Sequence, residues 1–281
     1  MTLLALGARQ FATPAVMGIL NVTPDSFADG GRYRSLRAAY QHAMAMRDAG
    51  ASIIDVGGES TRPGASPVST AEELDRVIPV IADIVQLGVP VCVDTSKPEV
   101  MREAVRAGAV MINDVRALQR DGALETAAQL GVPVVLMHMQ GNPRTMQVRP
   151  HYDDVLAEVI DFLRSRIDAA EAAGVADLVV DPGFGFGKTP AHNLMLVNRL
   201  DEFRRLGRPI LMGLSRKGTL GLVAPDGERI IASVVGATLA VANGASIVRV
   251  HDVAATVEGL AMYQAVNEEA VPACVAQRLN P

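Results

Sequence analysis

Short apolar runs rich in valine and isoleucine recur along the chain, and each is followed by polar residues and then by a helical stretch. Eight such runs are present, at residues 16–20, 52–56, 89–93, 110–112, 132–137, 178–180, 209–212 and 247–250. They are apolar at nearly every position instead of alternating, which is typical of strands buried on both faces of a parallel sheet. The pattern therefore predicts eight parallel β-strands.

Eight predicted helices alternate with these strands, at residues 36–49, 70–87, 98–107, 122–130, 152–173, 191–206, 228–243 and 253–266. Seven of them are followed by a glycine, which readily adopts the left-handed conformation that ends a helix: Gly50, Gly88, Gly108, Gly131, Gly174, Gly207 and Gly244. Eight strand–helix units without a linker predict one α/β domain over residues 1–281, a single (β/α)8 TIM barrel. An open doubly wound sheet is the alternative, but the turn after its first strand is more often glycine-rich than residues 21–24 are.

Composition narrows the possible partners. The chain has 281 residues, 49% of them hydrophobic, a formal net charge of −5 and a pI of about 5.6. An acidic balance argues against nucleic acid or an anionic membrane as the main partner, because both bind basic surfaces. Two isolated cysteines give neither a disulfide framework nor a metal-ligand spacing. The start of the chain does not resemble a signal peptide, and no apolar run is long enough to span a membrane, so we expect a cytoplasmic protein.

Polar side chains follow the predicted strands, at the end of a barrel where active sites lie. They are Asn21, Asp55, Glu59, Asp94, Asn113, His138, Asp181, Lys217, Arg249 and His251. One such residue is easily explained as the cap of the next helix, but the whole set is not. His138 has no second ligand-type residue beside it, and we interpret it as structural.

A glycine-rich segment, PGFGFGKT at residues 182–189, follows the sixth strand. It differs from a phosphate-binding loop in its first position, where Pro182 replaces glycine, so that interpretation is rejected. We expect its glycines to let the backbone approach a flat ligand on which Phe186 stacks.

Cations near the last strands predict a strongly anionic substrate on this acidic chain. Arg249 and His251 alternate on the eighth strand and therefore face the same way. Arg62 and Arg216 lie in neighbouring loops, where surface ion pairs are an equally natural explanation.

Two long segments resemble the signatures of a known family, the dihydropteroate synthases. They are MGILNVTPDSF at residues 17–27 and DVGGESTRPG at residues 55–64. Residues 181–188, 215–217 and 249–252 also match that family in type and order, so the resemblance extends from residue 16 to about residue 262.

The resemblance implies a transferase of folate biosynthesis that binds Mg²⁺. Such an enzyme condenses 6-hydroxymethyl-7,8-dihydropterin pyrophosphate with para-aminobenzoate to 7,8-dihydropteroate and pyrophosphate, by a dissociative substitution. Sulfonamides would act as competitive analogues of para-aminobenzoate, and the enzyme would be a homodimer. The dimer also follows from residues 228–243 and 253–266, which are apolar on nearly all sides, because such a surface is usually covered.

The resemblance also implies a role for individual residues. The pterin would be bound by Asp94, Asn113, Asp181 and Lys217. The pyrophosphate would be bound by Asn21, Thr61, Arg249 and His251, with Asn21 as the magnesium ligand. The para-aminobenzoate site would be formed by Phe27, Thr61, Arg62, Pro63, Phe186, Ser215 and Lys217, several of them on two long loops that we expect to order around the substrates. Catalysis would depend on Asp94, Lys217, Arg249 and His251.

Two rival functions are a methyltetrahydrofolate-binding methyltransferase and a pterin-binding protein without activity. The first has no use for a pyrophosphate site, so the motifs at residues 215–217 and 249–251 argue against it. The second would be expected to lose loop or phosphate residues, and all are present.

Overall fold

A computed structural model describes residues 3–23, 31–62, 64–225, 227 and 229–269. These residues form ten strands: β1 (Leu3–Leu6), β2 (Arg9–Ala12), β3 (Ala15–Asn21), β4 (Ile53–Gly57), β5 (Val91–Asp94), β6 (Met111–Asp114), β7 (Val134–Met137), β8 (Leu178–Asp181), β9 (Leu211–Met212) and β10 (Ile247–Val250). The eight from β3 onwards pair in parallel in the order β8-β7-β6-β5-β4-β3-β10-β9. A single parallel bridge between Val180 and Ile210 brings β8 beside β9 and nearly closes the sheet. The predicted TIM barrel is confirmed.

Nine α-helices surround the barrel in the part of the chain that is described. They are α1 (Gly31–Asp48), α2 (Thr70–Ile84), α3 (Pro98–Arg106), α4 (Ala123–Leu130), α5 (Val155–Ala172), α6 (Pro190–Asn198), α7 (Gly218–Val223), α8 (Arg229–Ala242) and α9 (Val253–Asn267). Two predicted helices are longer than α2 and α6, because the 3₁₀ helices Val85–Leu87 and Leu200–Leu206 extend them. The short α7 was not predicted. All seven glycines expected at helix ends have a positive φ.

Burial on both faces of the strands explains their continuous apolar sequence. Alternate residues point outward into the layer between sheet and helices, as Val16 and Ile54 do, or inward, as Met17 and Ile53 do. The inner cluster comes from the first residues of several strands, and it also contains Leu4, Leu6 and Phe11. The antiparallel β1–β2 hairpin therefore covers the amino-terminal end of the barrel. Only the carboxyl end is left for a polar site.

None of the helices in the described ranges is long and apolar enough to cross a membrane.

Candidate active site

Two aspartates on neighbouring strands share one arginine at the carboxyl end of the barrel. From β10, the Nε of Arg249 donates to Oδ2 of Asp55 at 2.6 Å, and its Nη2 donates to Oδ2 of Asp94 at 2.8 Å. Asn113 on β6 donates to the same Oδ2 of Asp55 at 2.9 Å. Asp94, Asn113 and Arg249, to which the sequence interpretation gave roles, thus form one hydrogen-bonded group with Asp55, to which it gave none.

Burial sets the charge state of this group. It raises the pKa of Asp94 to about 7, an effect that Arg249 opposes and the nearby charge of Asp55 increases. Burial also lowers the pKa of Arg249, but the attraction of Asp55 and Asp94 outweighs it and raises that pKa above its usual value. Oδ1 of Asp55 is buried and has no hydrogen-bond partner among the described residues. Arg249 is therefore firmly charged, whereas Asp94 can gain or lose a proton near neutral pH.

A second acid–base group faces the first across Gly213. An ideal Cβ on this glycine would lie 3.7 Å from Cβ of Arg249 and 3.9 Å from Oδ2 of Asp181. Burial raises the pKa of Asp181, and Lys217 opposes the rise. Burial lowers the pKa of Lys217 to about 8, and Asp181 opposes that shift. Asp94, Asp181, Lys217 and Arg249 therefore interact electrostatically at the carboxyl end of the barrel, and the space between these four residues is called the mouth below.

The turn at residues 183–187 follows β8 and contacts Lys217. Nζ of Lys217 donates to the carbonyl of Phe184 at 2.6 Å and lies 4.5 Å from the centre of the Phe186 ring. The backbone amide of Gly183 donates to Oδ1 of Asp181 at 2.7 Å. The turn thus connects an acid of the mouth with its lysine.

The glycines of this turn are required by close contact with protein. Gly183 and Gly187 both have a positive φ, and a Cβ on them would lie 1.8 Å from the carbonyl oxygen of His138 and 2.7 Å from that of Gln140. A Cβ on Gly185 would lie 3.0 Å from Cδ of Lys217. The close contacts of these glycines are with protein, and their expected approach to a ligand stays a prediction.

The residues expected around phosphate lie on the side of β10 and β3. The Nδ1 of His251 is 3.1 Å from Oγ of Ser215, whose oxygen also accepts the His251 amide at 3.2 Å. Burial, followed by the repulsion of Arg249 and Arg216, lowers the pKa of His251 to about 4, so the imidazole is neutral at pH 7. Nε of Arg216 donates to Oδ2 of Asp252 at 2.9 Å. This exposed ion pair agrees with the explanation of Arg216 as a partner in a surface ion pair.

Asn21, at the end of β3, is close to Asp94. An ideal Cβ on Gly57 would lie 3.6 Å from Oδ2 of Asp94 and 3.7 Å from Oδ1 of Asn21, so both oxygens face the space that this glycine leaves. Within the described ranges, no group of three or more His, Cys, Asp or Glu side chains could hold a metal ion. A cation here would have to take most of its ligands from substrate and water.

The loop between β4 and α2 is fixed at its base by buried ion pairs. Lys97 pairs with both Glu59 and Glu73, and Glu73 is almost fully buried. Arg76 also donates to the carbonyl of Gly58 at 2.7 Å. We expect this loop to order around the substrates, and these contacts show that its first residues are already bonded to α2 and to Lys97. Further along it, Thr61 is half-buried and Arg62 is exposed.

The structure brings most of the predicted site residues to one end of the barrel. Phe27 and Pro63 lie outside the described residues, as does most of the first long loop, at residues 24–30. The sequence interpretation gave no role to Asp55, Lys97 or Lys188. Asp55 and Lys188 stand inside segments already singled out, whereas nothing in the local sequence marks Lys97.

Comparisons with known proteins agree with this geometry. The family described as pterin binding enzyme matches residues 17–251. The dihydropteroate synthase of Escherichia coli strain K12 is 55% identical over 257 residues, which cover 90% of this chain and 91% of that protein. That of Haemophilus influenzae is 50% identical over 259 residues, which cover 90% of this chain and 94% of that protein.

Solved structures give the same result. The Yersinia pestis dihydropteroate synthase in complex with a sulfonamide drug has a TM-score of 0.90 and 48% identity, with 95% of this chain and all of that chain covered. The Xanthomonas albilineans dihydropteroate synthase with 4-aminobenzoic acid has a TM-score of 0.87 and 52% identity, with 94% and 96% covered. With sequence and structure both matched over nearly its whole length, the chain belongs to the pterin binding enzyme family and, within it, to the dihydropteroate synthases, which are alkyl-group transferases.

Proposed function

We propose that the chain condenses 6-hydroxymethyl-7,8-dihydropterin pyrophosphate with para-aminobenzoate, giving 7,8-dihydropteroate and pyrophosphate. The observation that carries the proposal is the meeting of Asp94, Asn113 and Asp181 with Lys217 and Arg249 at one end of the barrel. Related structures from Xanthomonas albilineans contain 4-aminobenzoic acid in one case and 7,8-dihydropteroate in another, which supports these substrates.

The pterin ring is the part of the substrate that the buried acids fit. Its amino-pyrimidine edge offers several N–H donors, and carboxylates accept these in strong charge-assisted bonds. In our proposal Asp94 and Asp181 accept from this edge, Asn113 completes it, and Lys217 donates on the carbonyl side. Arg249 already donates to Oδ2 of Asp94, but a carboxylate has about four acceptor positions, so one aspartate can hold both arginine and pterin.

Substitution takes place at the exocyclic CH2 of the pterin. The carbon–oxygen bond breaks and its electron pair leaves with pyrophosphate, after which the arylamine nitrogen attacks the cationic carbon and loses a proton to solvent. Such a step needs stabilisation of the leaving group more than it needs a strong base. Arg249 supplies a permanent charge for this purpose, and Asp94 offsets the positive ring. His251 is neutral in the substrate-free protein, so we assign it a hydrogen bond to phosphate and not a charge.

The proposal assigns the remaining residues to the pyrophosphate site or to the para-aminobenzoate site. Asn21 and Thr61 contribute to the pyrophosphate site. Ser215, Lys217, Phe186 and Arg62 border para-aminobenzoate, together with Phe27 and Pro63. The sulfonamide complex of the Yersinia pestis enzyme supports sulfonamides as competing analogues at this second site.

Magnesium is part of the proposal, with Asn21 as its protein ligand. Oδ1 of Asn21 beside Gly57 is a hard donor, and Mg²⁺ is commonly bound by few protein ligands with phosphate and water. When bound, the ion adds positive charge beside the leaving phosphate oxygens.

A homodimer is proposed from the surface of α8 and α9. Large apolar side chains are exposed there, whereas α8 buries only Ser233, Ala237 and Ala240 against the barrel. The exposed ones are Ile231, Val235, Leu239, Met262 and Val266. A continuous apolar surface of this kind marks an interaction site, and a second copy of the chain is the occupant that we propose.

The function is tested by supplying both substrates and Mg²⁺ to the purified protein. We expect dihydropteroate and pyrophosphate to form in equal amounts, and a sulfonamide to inhibit in competition with para-aminobenzoate. Pterin binding without release of pyrophosphate would instead favour one of the rival functions.

Asp94→Asn should weaken binding of a phosphate-free pterin by an amount of order 1.5–3 kcal/mol, because a charge-assisted bond is lost. The pKa of Asp94 is raised to about 7, so its carboxylate is present above that pH and is lost as the pH falls through it. Pterin affinity of the wild type should therefore decline as the pH falls below about 7, and that of the variant should decline less, because Asp181 is then the remaining acid that titrates. Calorimetry across this pH range decides, with the exposed Asp121→Asn as control; an unchanged affinity would exclude Asp94 from the pterin site.

Arg249→Lys should slow turnover roughly 100-fold, because an ammonium cannot reproduce the arginine fork that spans two acids and faces the leaving group. A positive charge still offsets Asp55 and Asp94, so the variant avoids leaving both acids buried without a cation. We expect pyrophosphate to bind more weakly while a phosphate-free pterin is largely spared. Arg216→Lys, at an exposed ion pair, is the control. Equal weakening of both ligands would mean that Arg249 serves the architecture of the mouth only.

Light scattering tests the dimer. We expect the wild type and Val148→Asp, a change at an exposed apolar residue in the loop after β7, to have twice the monomer mass at micromolar concentration. Leu239→Asp should shift the mass towards the monomer, because it introduces a charge into the proposed interface. A monomeric wild type would refute the proposal.

A further inference from the structure

Lys188 is a buried lysine to which the proposed reaction assigns no role. Its side chain is only 2% exposed, and its Nζ lies 2.8 Å from Nδ1 of His138, 3.0 Å from the carbonyl oxygen of Gly183 and 3.1 Å from that of Phe186. A lysine ammonium has three N–H donors, and these three partners account for all of them. We propose that Lys188, together with His138, is a positioning residue that holds the 183–187 turn and through it Phe186 and Lys217.

The turn lies between two ammonium groups. Nζ of Lys188 donates from one side to the carbonyls of Gly183 and Phe186, and Nζ of Lys217 donates from the other side to the carbonyl of Phe184. The Phe186 ring is also 4.5 Å from Nζ of Lys217. A displacement of the Phe186 backbone would therefore move both the ring and the lysine that faces it.

His138 is suited to be a fixed hydrogen-bond acceptor for Lys188. While Lys188 is protonated it only donates, so Nδ1 of His138 accepts and the ring proton is on Nε2. Burial and then the charge of Lys188 lower the pKa of His138 to about 2, so the ring stays neutral. Burial lowers the pKa of Lys188 to about 7, and Asp181 opposes this shift. The lysine is thus coupled to the same aspartate that accepts the Gly183 amide.

Burying a lysine here is unfavourable in free energy, because the ammonium group is removed from water. An apolar side chain of similar length would fill the volume but would leave the Phe186 carbonyl and a ring nitrogen without the lysine donor, and the Gly183 carbonyl with the Phe186 amide alone. Three of the five turn residues are glycines, which gain few contacts through side chains and lose much freedom on folding. Donors from outside the turn are therefore the means by which its conformation is fixed.

This inference rests on the proposed function, which assigns Phe186 and Lys217 to the para-aminobenzoate site. The proposed pyrophosphate residues Asn21, Arg249 and His251 lie at the ends of β3 and β10, with Thr61 in the loop after β4, so none of them is part of the turn. Loss of Lys188 should therefore affect the two sites unequally, whereas a general loss of stability would affect both.

The test uses Lys188→Met, which keeps an unbranched chain and removes all donors. We expect the KM for para-aminobenzoate to rise roughly 10-fold, because small misplacements of a substrate site have large kinetic effects. Inhibition by pyrophosphate should change by less than about twofold, since its site is not displaced. His138→Leu removes only the acceptor and should act in the same direction, and His138→Gln, which keeps a side-chain acceptor, should recover part of the loss. Backbone amides of residues 183–187 should exchange hydrogen faster in the substrate-free Lys188→Met protein.

The other outcomes overturn the proposal. An unchanged KM with unchanged exchange would mean that the turn supports itself. Equal losses for para-aminobenzoate and pyrophosphate, or failure of both Lys188→Met and His138→Leu to fold, would make the pair a general structural element. If the wild type forms no dihydropteroate, the proposed function fails, and hydrogen exchange in the substrate-free protein still decides whether Lys188 holds the turn.

Discussion

One arginine between two buried aspartates is the interaction on which the mouth of the barrel depends. Arg249 reaches from β10 to Asp55 on β4 and Asp94 on β5, and Asn113 is held by the same oxygen of Asp55. Removing one partner of a buried ion pair typically costs about 3–5 kcal/mol, because it leaves the other charge without compensation. The position of each of these side chains is therefore set by the others, and the site is organised before any substrate arrives.

Three buried acids interact with three buried cations around the mouth. Asp55, Asp94 and Asp181 are opposed by Arg249, Lys217 and Lys188 in the described part of the site. A pyrophosphate group that enters this balanced environment brings negative charge that these cations, already engaged, only partly offset. In our proposal, additional positive charge, or protonation of an acid whose pKa is near 7 as that of Asp94 is, accompanies binding. This requirement is the physical argument for a divalent cation beside Asn21.

The architecture could be predicted from sequence because strands buried on both faces leave continuous apolar runs, and the strand-end residues follow from the fold. The β1–β2 hairpin was missed because its strands lie outside the strand–helix repeat. Side-chain direction could not be predicted either. Arg249 had been assigned to phosphate alone, and nothing local reveals that it spans two acids that lie 155 and 194 residues away. Likewise Lys188 and His138 are 50 residues apart, and only the closure of the barrel makes them neighbours.

The sequence of the glycine-rich turn shows that its backbone comes close to another group, but it does not show which group. Glycines at positive φ identify where backbone must come close to something, and here the neighbours are His138, Gln140 and Lys217. The residues of the mouth fall into two groups, on different strands. Residues on β5, β6 and β8 form the half that suits a flat ring, and the turn joins this half to Lys217. Residues on β3 and β10 form the half that suits phosphate. Arg249 lies on β10 but is bonded to Asp94 on β5, so the charge of Asp94 in the proposed pterin half is coupled to the arginine that we propose for the phosphate half.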